Sequence, residues 1–219
     1  VKNSSNETML GILRQGANES SSASTTKKPI LILCHGLACH KNYLIFPKLF
    51  DEHFDTFRFD FSGNGESEGE FSYSNYYKEV EDLHSIVMYL KDTLKYEQIS
   101  LCGHSKGGNV VLLYSNKYPQ YVQNGIVVNL CGRFDMSNTP INRFTESERE
   151  ELAKSGRFLW KTFTIELYVT KQALEERGKV DTKIQLQENY PLRVYSIHGD
   201  RDSMIPFSDS QQFHEFFKN

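Results

Sequence analysis

No stretch of the 219 residues approaches the roughly 18 consecutive apolar residues that a membrane-spanning helix requires, which excludes a bilayer span. No charge sign dominates either: 25 Lys and Arg stand against 28 Asp and Glu, and no block of like charge interrupts the mixture. A nucleic-acid partner, which clustered Lys and Arg would have to hold, is therefore not expected. Cysteine is sparse. Cys34, Cys102 and Cys131 each close an apolar run, where a small thiol packs without a disulfide partner, and this predicts free thiols in a reducing, cytoplasmic setting. In CHGLACH (34–40), four residues separate Cys34 from Cys39 and no second ligand pair lies at short spacing, which argues against haem attachment and against zinc. The Asn-x-Ser/Thr triplets at Asn3, Asn6 and Asn18 lie in a Ser- and Asn-rich stretch and read as chance. No internal repeat is evident, and the length suits one domain.

What is present is an alternation of strands and helices. PILILC (29–34), TFRFDF (56–61), QISLC (98–102), GIVVNL (125–130) and LRVYSI (192–197) are short and apolar on both faces, as buried parallel strands are. TMLGIL precedes them as a further short strand, joined by a polar loop over 15–28. Tyr77, Val80, Leu83, Val87, Leu90 and Leu94 recur at steps of three and four, the stripe of a helix lying on a sheet. A second helix runs from the glycines at 107 and 108 to Pro119. The fold class expected is α/β, a mostly parallel sheet with helices on both faces. Residues 133–189 break the rhythm with charged and aromatic helical pieces, including TESEREELAKSGRFLWKTF, and are placed to form a small helical cap over the carboxyl ends of the strands.

The chemistry concentrates in Gly103-His104-Ser105-Lys106-Gly107, which follows a strand and opens a helix. A strand turning sharply into a helix strains the central residue, and flanking glycines remove the side chains that would clash, so the Ser105 hydroxyl is pushed out above the sheet. His35-Gly36-Leu37 follows another strand. The Leu37 and Lys106 main-chain N–H groups are the candidate donors to a developing oxyanion, and His35 is assigned to holding its loop by hydrogen bonding. HGDRDSMIP (198–206) brings a carboxylate to the same sheet edge; Asp202 is preferred over Asp200 and the more distant Asp135. Gly63-Asn64-Gly65 also follows a strand but runs on into EFSYSNYY, not into an apolar helix that would receive a pyrophosphate, so a dinucleotide site is rejected.

With HG at one strand end, GHSKGG at the next and HGDRDSMIP late, the chain resembles the α/β-hydrolase superfamily over nearly its whole length. FDFSGNGESEG (59–69) resembles the Asp-x-x-Gly-x-Gly-x-Ser loop of that superfamily, and the chain looks most like its cinnamoyl-esterase-like, monoacylglycerol-lipase-like and proline-iminopeptidase-like members. The resemblance implies Ser105 as nucleophile, Asp202 as the acid of a triad, Leu37 and Lys106 as the oxyanion hole, and no cofactor or metal.

The base departs from the pattern. Of the seven histidines only His214 follows Asp202, and FSDSQQFHEFF sets it on an amphipathic helix among phenylalanines. The expectation is that the final strand, the histidine loop and the last helix lie beyond Asn219, consistent with a start at VKNSSNETML without Met, and that residues 1–219 alone are nearly inactive. The function expected of the whole protein is hydrolysis of a small-molecule carboxylic ester through an acyl-enzyme on Ser105, with Phe144, Phe158, Trp160 and Phe163 of the cap shaping an apolar pocket. The alternatives are a non-catalytic binding protein of the same fold and an aminopeptidase-like amide hydrolase, in which Glu146, Glu148, Glu150 and Glu151 would meet a substrate amine, although a solvated helix face explains them. Oligomeric state is not readable from the sequence.

Overall fold

In a computed structural model, residues 1–16, 29–44, 46–49, 54–122, 125–137, 141–162, 166–183 and 192–218 are described. The strands are β1 (Gly11–Arg14), β2 (Ile30–Cys34), β3 (Asp55–Phe59), β4 (Ile99–His104), β5 (Ile126–Leu130), β6 (Arg157–Lys161), β7 (Glu166–Thr170) and β8 (Arg193–Ile197). Six of them form one sheet in the order β1-β3-β2-β4-β5-β8, in which only β1 runs antiparallel to its neighbour. The loops leaving β2, β4, β5 and β8 therefore emerge side by side at one edge. That edge is where an open parallel sheet binds its ligands.

The helices are α1 (Tyr76–Met88), α2 (Lys106–Lys117), α3 (Glu146–Ser155), α4 (Lys171–Gly178) and α5 (Phe207–Lys218). α2 packs over β4 and β5 and against α1. The main core joins Ile32, Phe59, Leu83, Leu101, Val110 and Val127, all buried. A separate cluster of Phe46, Leu33 and Cys102 fills the other face. No described helix is long and apolar enough to cross a membrane.

Three expectations need correction. The helical stripe runs through Tyr76, Val80, Leu83, Val87 and Leu90, and Tyr77 is 56% exposed. Tyr76 stands four residues before Val80 and so takes the place on the buried face. Beyond Met88 the helix widens to π pitch over Tyr89–Thr93, and Leu94 then lies only partly buried against the core. The strand over 193–197 is not buried on both faces: Tyr195 and Ile197 are 50% and 54% exposed, because among the described residues β8 is an edge strand. In the cap, RFLWK is not helical but forms β6, which pairs antiparallel with β7. Gly156, at φ 76°, ends α3 in the left-handed region, and the alternation of buried Phe158 with exposed Leu159 then follows strand period. The polar loop beyond Gly16 and the cap residue Phe163 lie outside the described residues.

α3 begins at a capping box in which Thr145 accepts from the Glu148 N–H and Glu148 reaches back to the Thr145 N–H. None of its residues is buried. Its acidic side chains make the first turn of a solvated helix, as the helix dipole favours. The cap has its own small core of Tyr73, Phe144, Phe158, Leu167, Val169 and Leu174, and Leu37 and Trp160 pack against it.

Candidate active site

Ser105 sits between β4 and α2 with φ 54° and ψ −118°, a conformation that L-residues avoid and that the surrounding structure must hold in place. The glycines around it explain how. A Cβ on Gly103 would lie 2.0 Å from the Gly107 carbonyl oxygen, and one on Gly107 would lie 2.3 Å from that of Cys34. A Cβ on Gly36 would come within 3.3 Å of the Ser105 Cβ. Main chains of β2, β4 and α2 thus touch where Ser105 turns. The ladder also continues past the strand ends: the Ser105 N–H donates to Leu130 O at 2.8 Å and the Cys131 N–H to Ile197 O at 2.8 Å.

Ser105 lines a cavity of about 300 Å³ together with Gly36, Leu37, Cys131, Asp202 and Trp160. The sequence-predicted Leu37, Ser105 and Asp202 are therefore brought together, from the loops after β2, β4 and β8. Leu37 N–H and Lys106 N–H, the latter at the first residue of α2, find no acceptor among the described residues. Both are left for a ligand or water. Asp202 Oδ1 accepts from the Met204 and Ile205 N–H groups at 2.8 and 2.9 Å. Its Oδ2 lies 3.6 Å from His198 Nε2, which is itself 2.9 Å from Ile205 O. Asp200 is exposed and Asp135 accepts from Ser137; neither lines the cavity.

His35 does hold its loop. Its Nε2 accepts from the Phe61 N–H at 3.1 Å, which leaves Nδ1 to donate to Gly36 O at 2.8 Å. The ring is buried, and burial lowers its pKa to about 4, so it is neutral near pH 7. The Asp-x-x-Gly-x-Gly-x-Ser loop supports the same wall from behind. Asp60, fully buried, accepts from the Lys41 main-chain N–H at 2.5 Å, from Lys41 Nζ at 2.6 Å and from the Glu66 N–H at 3.0 Å. Gly65, at φ 54°, leaves no space for a side chain beside that carboxylate.

The Lys106 side chain turns away from the cavity. Its Nζ, buried, pairs with buried Glu79 at 2.7 Å and lies 4.9 Å from the Tyr76 ring centroid. Burial raises the Glu79 pKa against the pull of Lys106. Removing one partner of such a pair costs about 3–5 kcal/mol, so this contact clamps α1 to the start of α2.

Among the cavity residues that escape sequence reasoning, besides Cys39 and Tyr43, are Cys131, His104 and Arg143. Cys131, expected as a packed thiol, is only half-buried and lines the cavity in the left-handed region at φ 50°. Burial raises its thiol pKa while a hydrogen bond with the Ser105 backbone opposes this. Its place right after a strand at the carboxyl edge is the available signal. His104, expected as structural, lines the cavity with its Nδ1 buried and without a partner; burial lowers its pKa and the charge of Asp202 opposes the shift. Arg143, from the turn Ile141–Arg143, carries no sequence signal at all. Of the cap aromatics, Trp160 reaches the cavity, whereas Phe144 and Phe158 pack against each other in the cap core. The Ser105 hydroxyl makes no hydrogen bond among the described residues. His214 is exposed on α5, away from it.

Residues 29–160 match the alpha/beta hydrolase fold family. Est1E from Butyrivibrio proteoclasticus, solved with ferulic acid bound, superposes with a TM-score of 0.76 at 19% identity over 98% of this chain and 84% of its own. The alpha/beta hydrolase GrgF from Penicillium sp. sh18 gives 0.73 at 18% identity over 99% and 84%. The Pyrococcus furiosus esterase Pf2001 gives 0.69 at 17% over 100% and 76%. At such identities these likenesses speak for the fold alone. No curated protein sequence matches the chain. The family match runs from the start of β2 through the Ser105 turn into β6, and the chain belongs to the α/β-hydrolase fold family.

Proposed function

We propose that the protein is a serine hydrolase of small carboxylic esters, working without a cofactor through an acyl-enzyme on Ser105. The observation that carries this is the strained Ser105 turn, opening on a cavity beside a carboxylate and two main-chain N–H groups without an acceptor among the described residues. In the reaction Ser105 Oγ attacks the ester carbonyl and gives up its proton to a base. The Leu37 and Lys106 amides stabilise the oxyanion, and the alcohol leaves with the returned proton. Water then attacks the acyl-enzyme and releases the acid. Asp202 orients the base and stabilises its charge. In this reading the base is a histidine, and among the described residues none is hydrogen-bonded to the Ser105 hydroxyl. A strained, glycine-lined turn is maintained against its cost where its geometry serves a function. The ferulic acid held by Est1E and the esterase Pf2001 fit the same class of substrate. Unpaired thiols suit a reducing compartment such as the cytoplasm.

A non-catalytic binding protein is the competing reading, and it draws on the Ser105 hydroxyl having no hydrogen-bonded histidine among the described residues. A fluorophosphonate probe separates the two. Covalent labelling of the full-length protein at Ser105, abolished in Ser105→Ala, is the outcome expected of a hydrolase; absence of labelling under conditions that label a known serine esterase would rule the hydrolase out.

A further inference from the structure

Arg143 walls the cavity that holds Ser105 from the cap side. Its guanidinium forms no hydrogen bond or ion pair with any described residue, and its Nε is buried without an acceptor. A buried charged donor without an acceptor is among the costliest arrangements a fold can carry, and folds pair such groups or reserve them for ligands. The two neighbouring guanidiniums are treated differently. Arg133 Nη2 donates to Met204 O and Arg177 Nη1 to Met136 O, each at 2.9 Å. Asp209 and Asp135 act on Arg133, and burial together with the repulsion of Arg177 and Arg143 holds that arginine below its usual range. Among the described residues Arg143 has no such carboxylate. The other charged wall of the cavity, Asp202, has Oδ1 engaged by two amides and Oδ2 beside His198.

The remaining walls are largely apolar or aromatic, including Leu37, Tyr43, Trp160 and Ile205. A cation beside such walls is poorly hydrated, which strengthens any ion pair it makes with a ligand. The planar fork of arginine matches a carboxylate with two parallel hydrogen bonds. The volume, about 300 Å³, is at the small end for ligand sites and suits a compact acyl group.

We infer that the site takes a half-ester of a short dicarboxylic acid, its ester carbonyl at Ser105 and its free carboxylate on Arg143. This rests on the serine-hydrolase reading above and adds the anionic end of the substrate.

Two measurements on the full-length protein test it. The first compares the mono-4-nitrophenyl ester of glutaric acid with neutral 4-nitrophenyl valerate. A kcat/KM ratio about tenfold or more in favour of the anionic ester is expected, given what a hydrogen-bonded charge contributes. Arg143→Met should remove that preference and Arg143→Lys should keep part of it. A ratio at or below one, or a ratio that Arg143→Met leaves alone, would overturn the inference. The second needs no turnover: calorimetric binding of monomethyl glutarate to the Ser105→Ala protein, repeated with Arg143→Met added after circular dichroism has shown the variant folded. Binding that depends on Arg143 is expected; no binding, or binding indifferent to Arg143, overturns the anion site. Arg143-dependent binding without turnover of either ester would instead sink the hydrolase reading and leave the anion site standing.

Discussion

Two strand–loop–helix units deliver polar side chains to one cavity, and they are built to different standards. β4 is an interior strand, and α2 packs on it, on β5 and on α1, with the Ser105 turn between β4 and α2. Their glycines at 103 and 107 are so close to neighbouring main chain that no side chain fits. Among the described residues, β8, the Asp202 loop and α5 form the margin of the sheet, where Tyr195 and Ile197 are exposed and a Cβ added to Gly199 would meet nothing within 4 Å. Ser105 is held by close packing of backbone, Asp202 by a few hydrogen bonds and the bracing ring of His198. The difference teaches that Ser105 is positioned by the core itself, while Asp202 hangs, among the described residues, from an edge.

The largest expected effects test whether both units serve one reaction. Ser105→Ala should lower ester turnover by about 10⁶-fold, since removing the nucleophile removes the unit it works in, with the urea midpoint nearly unchanged. Asp202→Asn should cost about 10⁴-fold in kcat, as loss of an orienting carboxylate does, and a change under about tenfold would assign the acid elsewhere. Steady-state kinetics on the full-length protein reads both.

Stability then breaks the comparison apart. Gly107→Ala should destabilise by more than about 4 kcal/mol, because the added carbon meets the Cys34 carbonyl and neither main chain can withdraw. Gly199→Ala should fall within about 0.5 kcal/mol of the parent. In the strands, Leu101→Ala should cost about 2–5 kcal/mol and Ile197→Ala well under half of that, by urea unfolding. Equal costs at 101 and 197 would mean that Ile197 is covered in solution.

A smaller effect concerns the His35 brace. The free imidazole protonates near pH 6.5, but in the fold His35 does so only at about 4. Below pH 6.5 the unfolded chain therefore binds a proton that the folded chain does not. The contribution of His35 is fully present above that pH and declines as pH falls from 6.5 towards 4. His35→Gln should be less stable than the parent at about pH 7 yet lose less between about pH 7 and pH 5, compared by urea midpoints at the two values.

Legibility follows how local the cause is. The Ser105 turn, the β2 loop and the position of Asp202 can be read because each is a short motif whose glycines and flanking strand carry its geometry. The β6–β7 hairpin is hidden because RFLWK sits next to a strongly helical, charged segment, and the signal that separates them is one left-handed glycine at 156. Tyr77 and Tyr76 fit the same stripe as adjacent tyrosines, and only packing chooses between them. Cys131, His104 and Arg143 cannot be assigned to the cavity from sequence, since the bend after β5, the ring orientation at 104 and the folding back of the cap are products of contact between distant segments.

The amino-acid order alone determined the alternation of strands and helices and the strained hydroxyl at Ser105, since hydrophobic period and glycine spacing act within a few residues. Only the tertiary structure decided that a guanidinium from the cap, without a partner among the described residues, lines the same cavity as that hydroxyl, and that among those residues Asp202 follows an edge strand. Such placements follow from which surfaces remain to be buried once the sheet has formed, and no local pattern encodes that remainder.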